Sequence, residues 1–121
     1  MENTVCTVVV TYNRKDLLIK CIESLVNQTL KPQAIYIVDN NSTDNTPELL
    51  IKHNYLKTTP QLENNIWTSS TEYEQITIKY IHLPENIGGA GGFYYGVKQA
   101  YEDNYDWVWI MDDDAFPTPA C

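Results

Sequence analysis

The segment VCTVVVT at residues 5–11 decides the fold, because it is an uncharged run made almost entirely of β-branched residues. Its length and composition predict a strand buried on both faces, as in parallel sheets. Residues 12–33 then place apolar side chains at i, i+4, i+7 and i+8 from Leu18, which is the spacing of one helix face. Residues 34–38, AIYIV, form a second buried strand pattern. This order predicts two parallel strands joined by a helical crossover.

The remaining chain continues the alternation. We predict a short helix over residues 46–52, strands over 75–83 and 107–111, and a helix over 93–101. Residues 53–74 are polar and interrupted, and we interpret them as a helix tail followed by an insertion. The class is therefore α/β, with a mainly parallel sheet flanked by helices in one domain over the 121 residues.

Composition and charge narrow the possible partners. The chain carries 16 acidic against 8 basic residues and is 43% hydrophobic, enough for a real core. An acidic chain without a basic stripe argues against a nucleic-acid or anionic-membrane surface. A phosphorylated ligand remains compatible if another group supplies positive charge. Six acidic residues follow the last basic residue, Lys98, and three of them are adjacent.

The three cysteines, Cys6, Cys21 and Cys121, are widely spaced and form no CxxC pair, so neither a zinc site nor a disulfide framework is expected. Cys6 and Cys21 fall inside apolar patterns, which predicts small core residues. The first residues do not resemble a signal peptide, and the longest apolar runs are far shorter than a membrane span. We therefore expect a cytoplasmic protein without a transmembrane segment in this chain, a setting that includes peripheral attachment to the inner face of the membrane.

Three polar clusters follow predicted strands: residues 11–14, 39–44 and 112–114. Parallel strands joined by right-handed crossovers end at the same edge of a sheet, and open α/β sheets bind ligands at that edge. The clusters are therefore expected to line one cleft.

The Asp triplet is the sharpest of these clusters. In an extended segment Asp112 and Asp114 point the same way and Asp113 points the opposite way. Two carboxylates on one side suit Mg²⁺ or Mn²⁺, with substrate phosphates and water completing the shell. A solvated acidic turn is the alternative, but the position at the ligand edge favours a metal.

The other two clusters allow two interpretations each. Asp39 ends the second strand, where its carboxylate can accept hydrogen bonds from a base imide or a ribose hydroxyl, or simply start a turn. Arg14 and Lys15 are the basic pair nearest the edge. They either contact a phosphate or only decorate the first turn of the helix, which we expect Asn13 to cap.

All five glycines lie between residues 88 and 96, which invites nucleotide-binding motifs. The GxGxxG pattern fails because Tyr94 stands at its last glycine, and the Walker A spacing fails because Val97 stands where Lys is required. What remains is a glycine turn that either offers backbone N–H groups to an anion or needs positive φ for structural reasons.

Four motifs together resemble a family 2 glycosyltransferase: VVVTYNR at 8–14, IVDNNSTD at 37–44, NIGGAGGF at 86–93 and WIMDDDA at 109–115. They look most like the galactofuranosyl- and rhamnosyl-transferase branch. The resemblance implies a GT-A fold with a Rossmann-like sheet. It also implies inverting transfer of a sugar from a UDP- or dTDP-sugar to a glycan or lipid-linked acceptor, with Mn²⁺ or Mg²⁺.

The resemblance also implies roles for individual residues. Thr11 and Tyr12 would flank the base, Asp39 would bind the imide of uracil or thymine, and Asn86 with the glycine turn would shape the sugar-diphosphate pocket. The implied metal ligands are Asp112 and Asp114. The full set of implied nucleotide-binding residues is Thr11, Tyr12, Arg14, Asp39, Asn86, Gly88, Gly89, Asp112 and Asp113.

Two departures from the family pattern matter. Relatives often carry an Arg shortly after the glycine turn, whereas this chain has Phe93 and two tyrosines there. The catalytic base of the family lies downstream of the Asp triplet, where only residues 115–121 remain, so the base is expected beyond Cys121. We therefore expect a donor-binding half, truncated after the triplet and inactive alone. A nucleotidyltransferase that makes nucleotide sugars and a non-catalytic metal- or nucleotide-binding module are the alternatives.

Overall fold

The structure, a computed structural model, describes residues 4–113. The predictions for Asp114, for Cys121 and for the catalytic base expected beyond Cys121 therefore lie outside the described residues. Within the described range no helix is both long and apolar enough to cross a membrane. The elements, in chain order, are β1 (Val5–Thr11), α1 (Lys15–Val26), β2 (Ala34–Asp39), α2 (Thr46–Lys52), β3 (Gln61–Glu63), β4 (Ile66–Tyr73), β5 (Ile76–His82), α3 (Gly88–Glu102) and β6 (Trp107–Asp112).

A single six-stranded sheet has the order β3-β4-β5-β2-β1-β6. The four strands β5, β2, β1 and β6 run parallel, whereas β3 and β4 are antiparallel additions on one side. The register pairs Thr11 with Asp39, Asp39 with His82, and Val10 with Asp112. The predicted α/β class with a mainly parallel sheet is confirmed, and the ends of all four parallel strands share one edge.

The core lies on both faces of this sheet, which explains the uninterrupted apolar runs of the central strands. Every residue of β2 is buried. On one face Ile35 and Ile37 pack with the apolar side of α1 and with Leu50 of α2. On the other face Tyr36 and Val38 pack with Val8, Val10 and α3. Each fully buried aliphatic side chain contributes about 1.5–3 kcal/mol.

Two of the three cysteines belong to this core, as their apolar surroundings in the sequence predicted. Cys6 packs on the face that α3 covers, and Cys21 packs on the face that α1 covers. The two thiols therefore lie on opposite faces of the sheet, and burial is the main cause that raises the pKa of Cys6 to about 12.

Residues 53–74 do not form the expected helix tail, whereas their interpretation as an insertion stays a prediction. The helix α2 ends at Lys52, and β3 and β4 form an antiparallel hairpin that extends the sheet beside β5. Asn64 and Asn65 both have positive φ, 52° and 68°, which makes the tight turn between the two strands. The half-exposed alternation of β4 suits an antiparallel strand with one face toward solvent.

The glycine cluster is mostly helical, which corrects the predicted loop. The helix α3 begins at Gly88 rather than at residue 93, and among the glycines only Gly88 has positive φ, 81°. A Cβ on Gly92 would lie 2.9 Å from Val10 Cγ1, and a Cβ on Gly96 would lie 2.3 Å from Val8 Cγ1. These glycines therefore let α3 lie directly on β1, and their role is close packing rather than a turn.

Candidate functional site

A cavity of about 280 Å³ opens at the carboxyl edge of the parallel strands, as the three polar clusters predicted. Its walls come from the ends of β1 and β6, the turn after β2 and the first turn of α3. Every residue of the predicted nucleotide set except Asp39 lines it. The lining residues are Val10, Thr11, Tyr12, Arg14, Asn40, Asn86, Gly88, Gly89, Asp112 and Asp113.

Asp113 forms a buried link between β1 and β6. Its side chain is almost fully enclosed; its Oδ2 accepts a hydrogen bond of 2.9 Å from Thr11 Oγ1, and its Oδ1 lies 3.2 Å from Arg14 Nη1. The guanidinium side is half exposed, so the ion pair is partly screened by solvent. Arg14 therefore lies at the cavity wall, where its remaining N–H donors are in reach of an anion.

Asp112 differs from its neighbour. It is exposed at the end of β6 and, within residues 4–113, its carboxylate has no hydrogen bond or ion pair. Within the same range no group of three His, Cys, Asp or Glu side chains is close enough to hold a metal ion. One open carboxylate at the cavity is compatible with the usual way Mg²⁺ is bound, by one or two carboxylates plus substrate oxygens. The second predicted ligand, Asp114, lies outside the described residues.

Asp39 lies behind the cavity wall and is fully buried. Its Oδ1 accepts the Ser42 N–H at 2.8 Å and its Oδ2 accepts the Tyr80 hydroxyl at 2.5 Å. Burial raises the pKa of this carboxyl, but the His82 imidazole 3.6 Å from Oδ2 and the hydrogen bonds from Ser42 and Tyr80 outweigh burial and hold the pKa below its usual range. The carboxylate thus stabilises its own turn, and its contact with a base stays a prediction.

Tyr80 and His82 complete the surroundings of this carboxylate. Tyr80 Oη lies 2.8 Å from His82 Nδ1, and His82 Nε2 lies 3.1 Å from Asn41 Oδ1. Burial is the main cause that raises the pKa of Tyr80 far above its usual range, so its hydroxyl keeps its proton. No role for His82 was predicted, because the pairing that sets it beside Asp39 depends on the register of β5 and β2.

Asn40 is the second residue that sequence analysis missed. It is buried at the cavity wall, where its Nδ2 donates to Gly88 O at 3.0 Å and its Oδ1 accepts from Ile87 N–H at 3.2 Å. One amide thus fastens the turn after β2 to the start of α3. The available signal was the Asp-Asn-Asn-Ser run itself, whose amide side chains suit bonds to turn backbone.

The start of α1 is held by the neighbouring loop rather than by its own cap. Asn13 does not cap the helix as predicted; it has φ of 51°, and its Oδ1 accepts the Thr43 N–H at 2.7 Å. The Lys15 N–H instead donates to Asp44 Oδ2 at 3.3 Å. This exchange is possible because β1 and β2 are adjacent, so the loops that follow them meet.

The first turn of α3 supplies positive electrostatic potential to the cavity. It contains no acidic residue, and Gly88 and Gly89 at its start line the cavity. A Cβ at either glycine would meet nothing within 4 Å, so the start of the helix faces open space, although the Gly88 N–H is already donated to Asn86 Oδ1 at 2.8 Å. A helix N-terminus carries roughly half a positive charge, which suits an anion such as phosphate.

The chain is similar to galactofuranosyltransferases. It is 31% identical over 113 residues to galactofuranosyltransferase GlfT1 of Mycolicibacterium smegmatis, covering 93% of this chain and 30% of that protein. It is 33% identical over 116 residues to GlfT1 of Mycobacterium tuberculosis, covering 94% and 31%. The chain therefore spans about a third of the length of these relatives.

Solved structures agree on the fold. Staphylococcus aureus TarS in complex with UDP has a TM-score of 0.69 at 21% identity, over 97% of this chain and 29% of that one. A mannosyltransferase from Pyrobaculum calidifontis, in complex with GDP-Man and Mn²⁺, has a TM-score of 0.68 at 20% identity, over 98% and 30%. These neighbours are GT-A glycosyltransferases, as the sequence motifs implied. Because the sequence profile of "Glycosyl transferase family 2" matches residues 6–121, the chain belongs to glycosyl transferase family 2.

Proposed function

We propose that this chain binds the nucleotide-sugar donor of an inverting galactofuranosyltransferase, with UDP-galactofuranose as the donor and a glycan or lipid-linked acceptor. The observation that carries the proposal is the cavity at the sheet edge, which gathers Thr11, Tyr12, Arg14 and the start of α3. The GlfT1 relatives support the sugar, and UDP in TarS supports the nucleotide. A dTDP-rhamnose donor is the second choice, because the sequence motifs resemble both branches.

Different residues of the cavity bind different parts of the donor. Tyr12, nearly half exposed, offers an aromatic face on which the base stacks, next to Thr11 at the end of β1. Arg14 and the positive N-terminal end of α3 face the diphosphate, whose charge the acidic chain otherwise repels. Asn86 accepts the Gly88 N–H at 2.8 Å and thereby shapes the turn beside the sugar-diphosphate.

We assign Asp112 and Asp114 to a divalent cation, Mn²⁺ or Mg²⁺. The open carboxylate of Asp112 at the cavity supports this assignment, as does Mn²⁺ in the mannosyltransferase neighbour. When bound, such a cation stabilises the charge that develops on the departing diphosphate. Asp112 would then hold the cation beside the diphosphate, while Arg14 keeps its ion pair with Asp113.

The chain alone is expected to bind the donor and not to turn it over. Inverting transfer needs a general base at the acceptor hydroxyl. We place that base beyond Cys121, with the acceptor pocket, in the part of the relatives' length that this chain does not span. The whole protein would work at the inner face of the membrane, where a lipid-linked acceptor is presented.

Calorimetry with UDP and a Mn²⁺ series tests the proposal. We expect UDP binding that strengthens with Mn²⁺ and falls at least about tenfold in Asp112→Asn, since a charged metal ligand is lost. Asp16→Asn is the matched control, because Asp16 is also exposed, on α1, but lies outside the cavity. UDP binding unaffected by Mn²⁺ would refute the metal. Preference for UTP would favour a nucleotidyltransferase, and Mn²⁺ binding without any nucleotide response would leave only a non-catalytic module.

A further inference from the structure

A chain of hydrogen bonds runs from the solvent side of β5 into the turn after β2. It starts at His82, passes through Tyr80 Oη at 2.8 Å from the imidazole Nδ1, and ends on Asp39 Oδ2 at 2.5 Å. Asp39 and Tyr80 have no exposed surface, while the imidazole is about one-fifth exposed. The direct distance from Nδ1 to Asp39 Oδ2 is 3.6 Å, so the phenol is the group that connects them.

The number of protons fixes the direction of these bonds. Asp39 is ionised, because its pKa lies below the usual range, and an ionised carboxylate only accepts. Tyr80 has one hydroxyl proton, and this proton goes to Asp39 Oδ2. The short contact between Tyr80 Oη and His82 Nδ1 is then a hydrogen bond only if Nδ1 is the donor. The Nδ1 atom of His82 must therefore carry a proton, whichever way the Asn41 amide faces Nε2.

These hydrogen bonds hold the turn after β2, and this turn contains the cavity residue Asn40. Asp39 Oδ1 accepts the Ser42 N–H at 2.8 Å and so closes the turn. Between these two residues, the Asn40 side chain bonds both Ile87 N–H and Gly88 O at the start of α3. A shift of the Asp39 carboxylate would therefore move the turn and, through Asn40, the start of α3, which the proposed function places beside the diphosphate.

We propose that Tyr80 and His82 are positioning residues for the donor site: His82 Nδ1–H donates to Tyr80, Tyr80 donates to Asp39, and this fixed relay holds Asn40 and the start of α3 in place. The role of Tyr80 and His82 in donor binding rests on the proposed function, whereas the hydrogen bonds of the relay do not depend on it. Other groups that face it are Asn41 on Nε2 and the more distant carboxylates Asp44 and Glu48, whose charges also act on Tyr80. None of these lies between Tyr80 and Asp39, so the hydrogen-bonded path from His82 to Asp39 passes through Tyr80, while the imidazole also lies 3.6 Å from Asp39 Oδ2 directly.

The first test detects the proton on His82 Nδ1 directly by NMR. The chain has only two histidines, so ¹⁵N-histidine labelling and long-range ¹H–¹⁵N correlation give two resolvable rings. We expect His82 Nδ1 to be protonated at neutral pH. His53 is the internal reference, because it is exposed, stacks on Tyr55 and has no hydrogen bond from its ring within residues 4–113. A neutral His82 ring with unprotonated Nδ1 would overturn the relay.

The second test separates positioning from mere packing by rescue. In His82→Asn the short amide can place an N–H near the position of Nδ1, whereas His82→Leu can offer no donor. We expect His82→Leu to weaken UDP binding about tenfold, as for the loss of one bond in a buried charged network, and His82→Asn to retain most of it. The control His53→Gln should bind as the parent chain does. Equal affinity in His82→Leu and His82→Asn would overturn the role.

Backbone amide shifts keep the two proposals distinguishable. In folded His82→Leu, we expect the amide signals of Asn40 and Gly88 to move, and in His82→Asn to stay near their parent positions. These signals respond even if the parent chain binds no UDP, in which case the donor assignment fails and the relay stands. Unmoved Asn40 and Gly88 signals in His82→Leu, with UDP binding intact, would reject the relay and leave the donor assignment in place.

Discussion

The helix α3 contacts the molecule in two different ways along its length. At its start, Gly88 and Gly89 face the cavity, and a Cβ on either would meet nothing within 4 Å. One to two turns later, Gly92 and Gly96 press against β1, with Val10 and Val8 methyl groups at distances that a Cβ cannot tolerate. The same residue type thus serves ligand access at one end and close packing at the other. A glycine cluster in a sequence does not by itself distinguish these two uses.

Gly96→Ala should give the largest effect, because it breaks the packed end. The added Cβ would lie 2.3 Å from Val8 Cγ1 and 3.0 Å from Val38 Cγ2, in a core where both valines are fully buried. We expect a loss of about 2 kcal/mol in the free energy of unfolding, the usual cost of overpacking after a small gain in helix propensity. Urea unfolding followed by circular dichroism measures it. Stability equal to the parent chain would show that α3 does not lie this close to β1.

Low pH should destabilise the fold near the cavity, because Asp39 becomes protonated. Because the folded-state pKa of this carboxyl is lowered, its ionised form stabilises the fold above the unfolded pKa, and that contribution is lost as the pH falls from the unfolded pKa through the lower folded pKa. We expect Asp39→Asn to cost about 1.5 kcal/mol at pH 7, as for lost hydrogen bonds to a charged group, and to flatten the decline of stability between about pH 5 and 3. Unfolding curves across this range test it, with exposed Glu102→Gln as control. Parallel declines in both variants would contradict the role of Asp39.

Gly89→Ala should give the smallest change in stability and a selective change in binding. The new methyl group would lie in open space in the first turn of α3. The free energy of unfolding should therefore fall by less than about 0.5 kcal/mol or rise slightly. The methyl group would point into the proposed diphosphate site, so Gly89→Ala should lower the affinity for UDP. Gly96→Ala, by contrast, should lower the stability of the fold. Thermal unfolding and calorimetry on both variants give the comparison. Unchanged UDP binding in Gly89→Ala would move the diphosphate away from this end of α3.

Sequence patterns predicted the elements whose residues are buried in the same way along their whole length. The uninterrupted apolar runs of β1 and β2 indicated strands covered on both faces, and the structure confirms both. The β3–β4 hairpin was missed, because its half-exposed alternation is interrupted by polar residues and its turn depends on two asparagines with positive φ. The start of α3 was placed five residues late, because glycine is a poor helix former and only its packing against β1 explains its use there.

For the site, residues that directly follow parallel strands were predicted well, since strand direction alone brings Thr11, Arg14 and Asp113 to one edge. The partners of Asp39 were not predictable in this way. The register that sets His82 opposite Asp39, and the loop contact that joins Asn40 to Gly88, depend on how separate elements pack. The amino-acid sequence by itself determined the α/β class, the family and the cavity edge, because these follow from local pattern and strand direction. Only the tertiary structure decided which groups hold that cavity in shape, because hydrogen bonds between residues about 40 to 50 positions apart form only after the sheet and helices have packed.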